Sequence, residues 1–203
     1  MSIYLVEERR VRRGEGPAVL ALAERSWRGL AAHRERVMFF RLTINDADPD
    51  HLLTLVRYRD RAEFDRLYAA IPEETRRALA EPIIPGTFRR LWAEVIRDID
   101  NFAYESTFVR LSVWTVPASL VEPFRIAARA TQDRFMEMPG AVASRFLRAD
   151  ETTFLLVSEY QDAATAQPPP LADDLLPMLE SLERRSFSGA VRTLSSLPTP
   201  LTP

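Results

Sequence analysis

The order of predicted elements recurs once along this chain, and that recurrence constrains the fold more than any other feature. Arg57-Tyr58-Arg59-Asp60 ends one predicted hairpin, and Glu159-Tyr160-Gln161-Asp162 ends another about half of the 203 residues later. Around each hairpin, alternating and helical apolar spacings predict a strand, a helix, two strands, a helix and a strand. That βαββαβ order is the ferredoxin-like pattern. We therefore predict an α+β protein of two ferredoxin-like halves with antiparallel sheets, each covering the open sheet face of the other.

The first half is predicted over residues 1–102. Its expected elements are strands at 3–11, 37–44 and 51–58, a helix at 17–33, a helix capped by Asp60, and a short helical piece at 72–80. Residues 88–99 fit either a helix or a strand. We favour a strand because the recurring order requires one there.

The second half is predicted over residues 106–197, with the boundary near 100–106. Ser119 and Glu122 have the spacing of a capping box, which predicts a helix from 119 to about 136. The other expected elements are strands at 108–116, 141–148, 152–160 and 190–197 and a helix at 173–185. The proline-rich tail at 198–203 is predicted to be disordered.

Composition excludes several kinds of chemistry. The chain has no cysteine and no lysine, so disulfides, thiolate metal sites and Schiff-base catalysis are excluded. Its net charge is −2, which gives no reason to expect nucleic-acid binding. No apolar run approaches the roughly 20 residues that span a bilayer, and the first residues do not look like a signal peptide. We therefore predict a cytoplasmic protein with no nucleic-acid or membrane partner.

Two charged stretches are predicted to lie at the surface. Asp46, Asp48 and Asp50 lack the central glycine and distal glutamate of a calcium loop, so we predict a hairpin turn. Glu7-Glu8 is an acidic cluster beside the basic run Arg9-Arg10-Arg12-Arg13. Such a run is usually a solvated patch, and less often binds an anion.

The second half carries a family resemblance. Trp114-Thr115-Val116-Pro117 precedes the long helix, Met138-Pro139-Gly140-Ala141-Val142 ends it, Arg145-Phe146-Leu147-Arg148 follows, and the hairpin closes on Tyr160-Gln161-Asp162. This layout resembles the antibiotic biosynthesis monooxygenase superfamily of dimeric α/β barrels. The resemblance covers 108–165, and 3–70 as a divergent copy. It implies a tandem chain packed as an intramolecular dimeric α/β barrel, either a monomer (a pseudo-dimer) or a homodimer.

The resemblance also implies a ligand cavity between a sheet and its helices. Some members of the superfamily oxidise polycyclic phenols with O2 and without metal or flavin, by stabilising the phenolate anion in a dry pocket. The resemblance thus implies a monooxygenase without a cofactor, acting on an aromatic or apolar small molecule. The alternative is a non-catalytic small-molecule-binding or regulatory module of the same fold.

A third hypothesis is a haem-linked enzyme, because some relatives of this fold bind haem. Those relatives would use a histidine in the second half, whereas His33 and His51, the two histidines of the chain, both lie in the first half. Two histidines also make a multi-histidine zinc site an unlikely reading of the chain. We predict that both are surface side chains and that no metal is bound.

Eight residues are predicted to form the site that the resemblance implies. The predicted catalytic residues are Arg145, Trp114 and Tyr160, and the predicted substrate-binding residues are Trp92, Phe124, Phe135, Arg41 and Tyr58. Each has a structural alternative. The aromatic side chains could simply pack the core, and a strand arginine can bind a ligand only if it points into the cavity, which alternation alone does not decide.

Overall fold

The computed structural model describes residues 2–29, 37–101 and 105–193. The chain divides into two compact units, Met1–Trp92 with Val191–Pro203, and Ala93–Ala190. The domain boundary predicted near residues 100–106 lies partly outside the described residues and stays a prediction. The tail predicted at 198–203 lies wholly outside them.

The first unit is an antiparallel sheet that carries helices on one face. Its strands are β1 (Ile3–Arg10), β2 (Val37–Asn45) and β3 (His51–Tyr58), and its helices are α1 (Gly16–Gly29), α2 (Arg61–Ala70) and α3 (Glu73–Ala80). β3 lies between the other two strands: Tyr58 pairs with Ile3 of β1, and Val56 pairs with Phe40 of β2. The core between this sheet and its helices includes Leu5, Leu20, Leu42, Val56, Phe64 and Leu67.

Two aspartates fix the turns that lead into the helices. The Asp60 carboxylate accepts a hydrogen bond of 2.9 Å from the Glu63 N–H, which confirms the predicted cap of α2. The Asp50 carboxylate accepts hydrogen bonds from the N–H groups of Gly14 and Gly16, where the chain enters α1. The acidic stretch at 46–50 is therefore a hairpin turn that also braces the start of α1.

The second unit has the same layering. Its elements are β4 (Arg89–Asp100), which begins in the first unit, β5 (Phe108–Thr115), α4 (Val121–Met136), β6 (Ala141–Arg148), β7 (Thr153–Tyr160) and β8 (Glu183–Thr193). β7 lies between β5 and β6, while β8 pairs with the other edge of β5 and β4 pairs with the other edge of β6. The strand favoured for 88–99 is thus confirmed as β4.

The structure corrects the end of the second half. The helix predicted at 173–185 is wrong: Asp173–Ser181 is a 3-10 helix, and β8 begins at Glu183 instead of residue 190. Pro177 lies inside the 3-10 helix and has no N–H to donate, which disfavours a regular α-helix. Arg185 of β8 pairs with Val113, so the end of the predicted helix is part of the sheet.

Two further predictions are wrong. Ser119 does not open an α-helix, because a 3-10 turn at Ala118–Leu120 precedes α4 and Leu120 occupies the N-cap position. His51 is not a surface side chain: it is 8% exposed, and its Nε2 lies 2.9 Å from an oxygen of Glu8. His33 lies outside the described residues. Within the described ranges, no helix is long and apolar enough to cross a membrane.

Candidate functional site

The first unit contains a cavity between its sheet and its three helices. The volume is about 460 Å³, which is within the range of small-molecule sites. Side chains of one strand face form the floor, because alternate residues of a strand point to the same side. The floor residues are Leu5, Glu7 and Arg9 of β1, Leu42 of β2, and Thr54, Val56 and Tyr58 of β3.

Aromatic side chains form one wall of the cavity. The rings of Tyr58 and Phe64 meet edge to face with centroids 5.6 Å apart, and Phe64 stacks on Tyr68 at 5.4 Å. Trp92 packs against Phe64 at 5.0 Å and so supports the wall from the side. Edge-to-face and offset contacts of this kind hold rings in defined positions. The cavity therefore has a preformed aromatic wall.

Three charged side chains meet at the sheet floor. Arg90 of β4 holds one oxygen of Glu7, with its Nε donating at 2.8 Å and its Nη2 also in contact. Arg9 lies further away, with its Nη2 3.7 Å from the second Glu7 oxygen. The same Nη2 donates to the Thr54 hydroxyl at 2.7 Å. Two guanidinium groups thus share one carboxylate inside the cavity.

Burial lowers the pKa of Arg9, although Glu7 partly offsets this effect and Arg90 adds to it. The Arg9 Nε is buried and has no hydrogen-bond partner among the described residues. A guanidinium group keeps its proton in proteins even when its pKa falls. Arg9 is a largely buried cation, and its Nη1 makes no hydrogen bond to any described residue.

Tyr58 supplies a neutral hydroxyl to the cavity. Its side chain is 2% exposed, and its hydroxyl makes no hydrogen bond to any described residue. Burial raises the pKa of Tyr58, and the nearby Glu7 carboxylate raises it further. The phenol is therefore protonated across the physiological range. It can donate a hydrogen bond to an oxygen atom of a ligand.

The mouth of the cavity is apolar and open. Tyr68, Ile84 and Phe88 line the cavity and are each about 40% exposed. Arg76 lies over the outer face of Tyr68, 5.3 Å from the ring centroid. Large apolar side chains left in water at the rim of a cavity mark a place where a ligand enters or remains partly exposed.

In the second unit, aromatic side chains fill the corresponding space between sheet and helix. Phe124 of α4 lies 5.4 Å from Phe154, 5.8 Å from Trp114 and 6.2 Å from Phe146, measured between ring centroids. All four side chains are at most 3% exposed. The first unit has Leu5, Leu42, Thr54 and Val56 on the comparable sheet face. By strand register, Leu42 of the first unit lies at the position of Phe146, and Arg9 at that of Trp114.

The structure brings only part of the predicted site together. Tyr58 lines the cavity of the first unit, and Trp92 packs beside its aromatic wall. Arg41 is next to Leu42 on β2 and therefore belongs to the opposite face of the strand. It is not among the cavity-lining residues. The binding role predicted for Tyr58 and Trp92 is compatible with these positions and stays a prediction.

The five predicted site residues of the second unit lie in three different surroundings. Trp114 and Phe124 belong to the aromatic core described above. Phe135 meets Tyr160 edge to face at 5.1 Å, and the Tyr160 hydroxyl donates to the Gln167 carbonyl. Arg145 is 3% exposed and pairs with carboxylates at 2.7, 2.9 and 3.5 Å, those of Glu159, Asp100 and Asp98. Their catalytic and binding roles stay predictions.

Sequence reasoning missed the charged floor of the cavity. Glu7 and Arg9 were assigned to charged surface runs, yet they alternate with buried Val6 on β1 and continue the inward face that starts at Leu5. Charged residues at inward positions of a strand are the signal that would have found them. Among the described residues, no group of three or more histidine, aspartate or glutamate side chains is arranged to hold a metal ion.

Comparisons with known proteins address the fold. No family model and no curated protein matches the chain. A candidate monooxygenase of Fusobacterium nucleatum matches with a TM-score of 0.72 at 12% identity, over 96% of this chain and 93% of the other. A candidate monooxygenase of Lactobacillus acidophilus matches with a TM-score of 0.69 at 11% identity, over 96% and 97%. An anthrone oxidase-like protein matches with a TM-score of 0.68 at 14% identity, over 99% and 97%.

The chain has the fold of these monooxygenase-like proteins. The predicted class is therefore confirmed: an α+β chain of two ferredoxin-like halves with antiparallel sheets, in the dimeric α/β-barrel fold. A structure from Listeria monocytogenes, a ferredoxin-fold protein related to antibiotic biosynthesis monooxygenases, also matches over 93% of this chain with a TM-score of 0.53. At such low identities the likeness concerns the fold and does not extend to the activity.

Proposed function

We propose that the protein is a cofactor-independent monooxygenase that oxidises an aromatic or apolar small molecule in the cavity of the first unit. The observation that carries this proposal is the composition of that cavity. An aromatic wall, a neutral phenol, a carboxylate and two arginines surround about 460 Å³. Those groups can bind a flat ligand, accept a proton from it and stabilise the anion that remains.

An anthrone-type substrate suits this chemistry, and the fold likeness to an anthrone oxidase-like protein supports it. Such a substrate is an aromatic ketone with an acidic ring CH2 group. Loss of one proton gives an electron-rich enolate, which forms a C–O bond with O2 and yields a hydroperoxide. Loss of water then leaves a second carbonyl. One oxygen atom of O2 enters the product and the other leaves as water, so the reaction needs no external reductant.

Glu7, Tyr58 and the aromatic wall take separate roles in this scheme. Arg90 holds one oxygen of Glu7, so the second oxygen is the one that can accept the substrate proton. The Tyr58 hydroxyl donates a hydrogen bond to the enolate oxygen. Phe64 and Tyr68 pack against the flat ring system, and the bound ligand displaces water from the floor, which strengthens both polar contacts.

Oxygen uptake by the purified protein tests the proposal. Anthrone should be consumed with one O2 per quinone formed, faster than its spontaneous oxidation and unaffected by a metal chelator. Glu7→Gln should lower kcat on the order of 10²-fold, since the general base is lost. Arg66→Gln, at an exposed position of α2, is the matched control and should leave the rate unchanged.

An enzyme-independent rate across a panel of anthrones and phenols would contradict the proposal. Ligand binding without any O2 uptake would support the alternative, a non-catalytic small-molecule-binding module. Loss of activity in second-unit variants alone would contradict the choice of cavity.

A further inference from the structure

The cavity of the first unit has an excess of positive charge at its floor. We infer that its ligand is amphipathic, with an aromatic or apolar body and one permanent anionic oxygen group such as a carboxylate, and that Arg9 binds this group. The inference rests on the proposed function only in placing the ligand in the same cavity. It does not depend on the reaction with O2.

The first step of the argument is the unequal sharing of Glu7. Arg90 contacts one carboxylate oxygen through both Nε and Nη2, whereas the nearest Arg9 nitrogen is 3.7 Å from the other oxygen. Glu63, a second buried carboxylate beside the aromatic wall, is paired with Arg59 at 3.3 Å. Arg90 and Glu7 therefore form the close pair, and the single negative charge of Glu7 is shared by two guanidinium groups.

The second step is the hydrogen bonding of Arg9. Its Nη2 donates to the Thr54 hydroxyl, and its Nη1 makes no hydrogen bond to any described residue. A buried donor without an acceptor costs about 1–3 kcal/mol, and more when the group is charged. A carboxylate presents two oxygens at the spacing of neighbouring guanidinium N–H groups. Such a ligand can bind the neighbouring Nη1 and Nη2 groups of Arg9 and neutralise the charge at the same time.

The third step is Thr54. Its hydroxyl oxygen accepts the bond from Arg9, and it donates no hydrogen bond to any described residue. The hydroxyl proton is therefore available to the same ligand oxygen that Arg9 binds. Two donors from adjacent strands, β1 and β3, then converge on one anionic group, since the Arg9 Nη2 lies 2.7 Å from the Thr54 hydroxyl oxygen.

The rest of the cavity sets the shape of the ligand. Beyond the charged floor the lining consists largely of apolar side chains, including Leu67, Leu79, Ile83 and Ile84. A small inorganic anion would satisfy Arg9 but would leave this apolar surface in water. An aromatic carboxylate or sulfonate satisfies both parts of the cavity.

Two fluorescent probes with the same rings test the inference. 1-Anilinonaphthalene-8-sulfonate carries an anionic oxygen group, and N-phenyl-1-naphthylamine lacks it. The wild-type protein should bind the anionic probe about tenfold more tightly than the neutral one, because the charge-assisted bonds to Arg9 are made in a largely buried site. 2-Naphthoate should displace the anionic probe, and 2-naphthamide should not.

Arg9 variants give the decisive comparison. Arg9→Met should abolish the preference for the anionic probe while leaving the affinity for the neutral probe within about twofold, which also shows that the cavity is intact. Arg9→Lys retains the charge and should keep part of the preference. Arg66→Gln removes an exposed arginine and should behave as the wild type.

Three results would overturn the inference: equal affinities of the wild type for the two probes, an unchanged preference in Arg9→Met, or no binding of either probe. Anion-selective binding without oxygen uptake would leave this inference standing and would contradict the monooxygenase proposal alone. Oxygen uptake with neutral anthrones, without any preference for the anionic probe, would contradict this inference and leave the monooxygenase proposal standing.

Discussion

Tyr58 and Tyr160 end equivalent hairpins, but their hydroxyl groups have different surroundings. That of Tyr160 donates to the Gln167 carbonyl, and its ring is held by Phe135 and Phe108. That of Tyr58 makes no hydrogen bond to a described residue and lies at a cavity. The local sequences are alike, so this difference comes from what packs opposite each tyrosine and was not predictable from the hairpin alone.

Tyr58→Phe should therefore lower kcat for oxygen consumption on the order of 10²-fold, the usual effect of removing one donor to a developing oxyanion. The measurement is steady-state oxygen uptake with the substrate that gives the best rate. Tyr160→Phe is the informative companion, because Tyr160 is the catalytic tyrosine predicted from the sequence. A large loss in Tyr160→Phe with none in Tyr58→Phe would move the site to the second unit.

Both tyrosines also predict how stability depends on pH. Burial raises the pKa of each phenol; Glu7 adds to the rise at Tyr58, and Arg110 opposes it at Tyr160. Above pH 10, the usual pKa of the phenol, the unfolded chain has lost these protons and the folded chain keeps them. The unfolded state then binds fewer protons, so the free energy of unfolding falls as the pH rises above about 10.

Urea unfolding between pH 8 and pH 11 measures this effect. The wild type should lose stability over the upper half of that range, and the double variant Tyr58→Phe/Tyr160→Phe should lose less. Equal slopes for the two proteins would show that these phenols ionise equally easily in the folded and unfolded chains.

Arg145 presents a different question at the residue scale. It is 3% exposed and lies 2.7 Å from Glu159, itself 1% exposed. Removing one member of a buried ion pair leaves the other charge uncompensated, at a cost of about 3–5 kcal/mol. Arg145→Met should therefore lower the free energy of unfolding by about that amount, as measured by urea denaturation.

Arg148→Met is the matched control for Arg145. Arg148 lies on the same strand and pairs with Glu94, but both side chains are about half exposed. Exposed pairs contribute about 0–1 kcal/mol. A fall in oxygen uptake for Arg145→Met without a loss of stability would instead support the catalytic role predicted for Arg145.

At the scale of elements, periodic apolar spacing predicted the strands well and the last helix poorly. β4 was ambiguous by spacing, and the recurring element order decided it correctly. The helix at 173–185 was predicted because Leu175, Met178 and Leu182 fit a helical stripe. The prediction was wrong because Pro177 interrupts the stripe and the residues from Glu183 onward form β8. The apolar spacing within one segment contains no information on the hydrogen bonds that a neighbouring strand can make with it.

Gly140 shows how one residue fixes the end of an element. It follows α4 with a φ of 78°, a conformation that favours glycine, and a Cβ atom there would collide with the Thr165 side chain. Thr165 cannot easily move, because its hydroxyl and N–H are bonded to Asp162. The Pro-Gly pair that was part of the family resemblance therefore has a steric reason.

Gly140→Ala should destabilise the protein by about 2–4 kcal/mol, the sum of backbone strain and the collision. Gly14→Ala separates the two contributions: Gly14 has a φ of 84°, but a Cβ atom there meets nothing within 4 Å. That variant should lose only about 1–2 kcal/mol. Thermal unfolding of both variants gives the comparison, and equal losses would show that the contact with Thr165 is relieved by a small shift.

At the scale of the whole molecule, the first unit encloses a cavity between its sheet and its helices, whereas aromatic side chains pack between the sheet and α4 in the second. The element order predicted two halves of one fold, but it did not predict which of them encloses a cavity. Two floor positions differ between the units: by strand register, Leu42 and Arg9 of the first lie where the second has Phe146 and Trp114. The family resemblance covers the second half best, so the predicted catalytic residues lie there, and one of them, Trp114, is part of an aromatic core.

Changing side-chain volume in each half separates these two roles. Val56→Phe adds a ring to the cavity floor, so it should prevent binding of N-phenyl-1-naphthylamine while changing the free energy of unfolding by no more than about 1.5 kcal/mol, since the added atoms enter open space. Phe154→Ala removes a fully buried ring from the filled core and should cost about 3–5 kcal/mol. Probe titration and urea denaturation of both variants provide the measurements.

If Val56→Phe still bound the probe, or if it were as unstable as Phe154→Ala, the first unit would not hold a ligand where its cavity lies. The expected pattern, lost binding in one half and lost stability in the other, would mean that this chain uses one copy of its fold to bind a ligand and the other to supply a solid core.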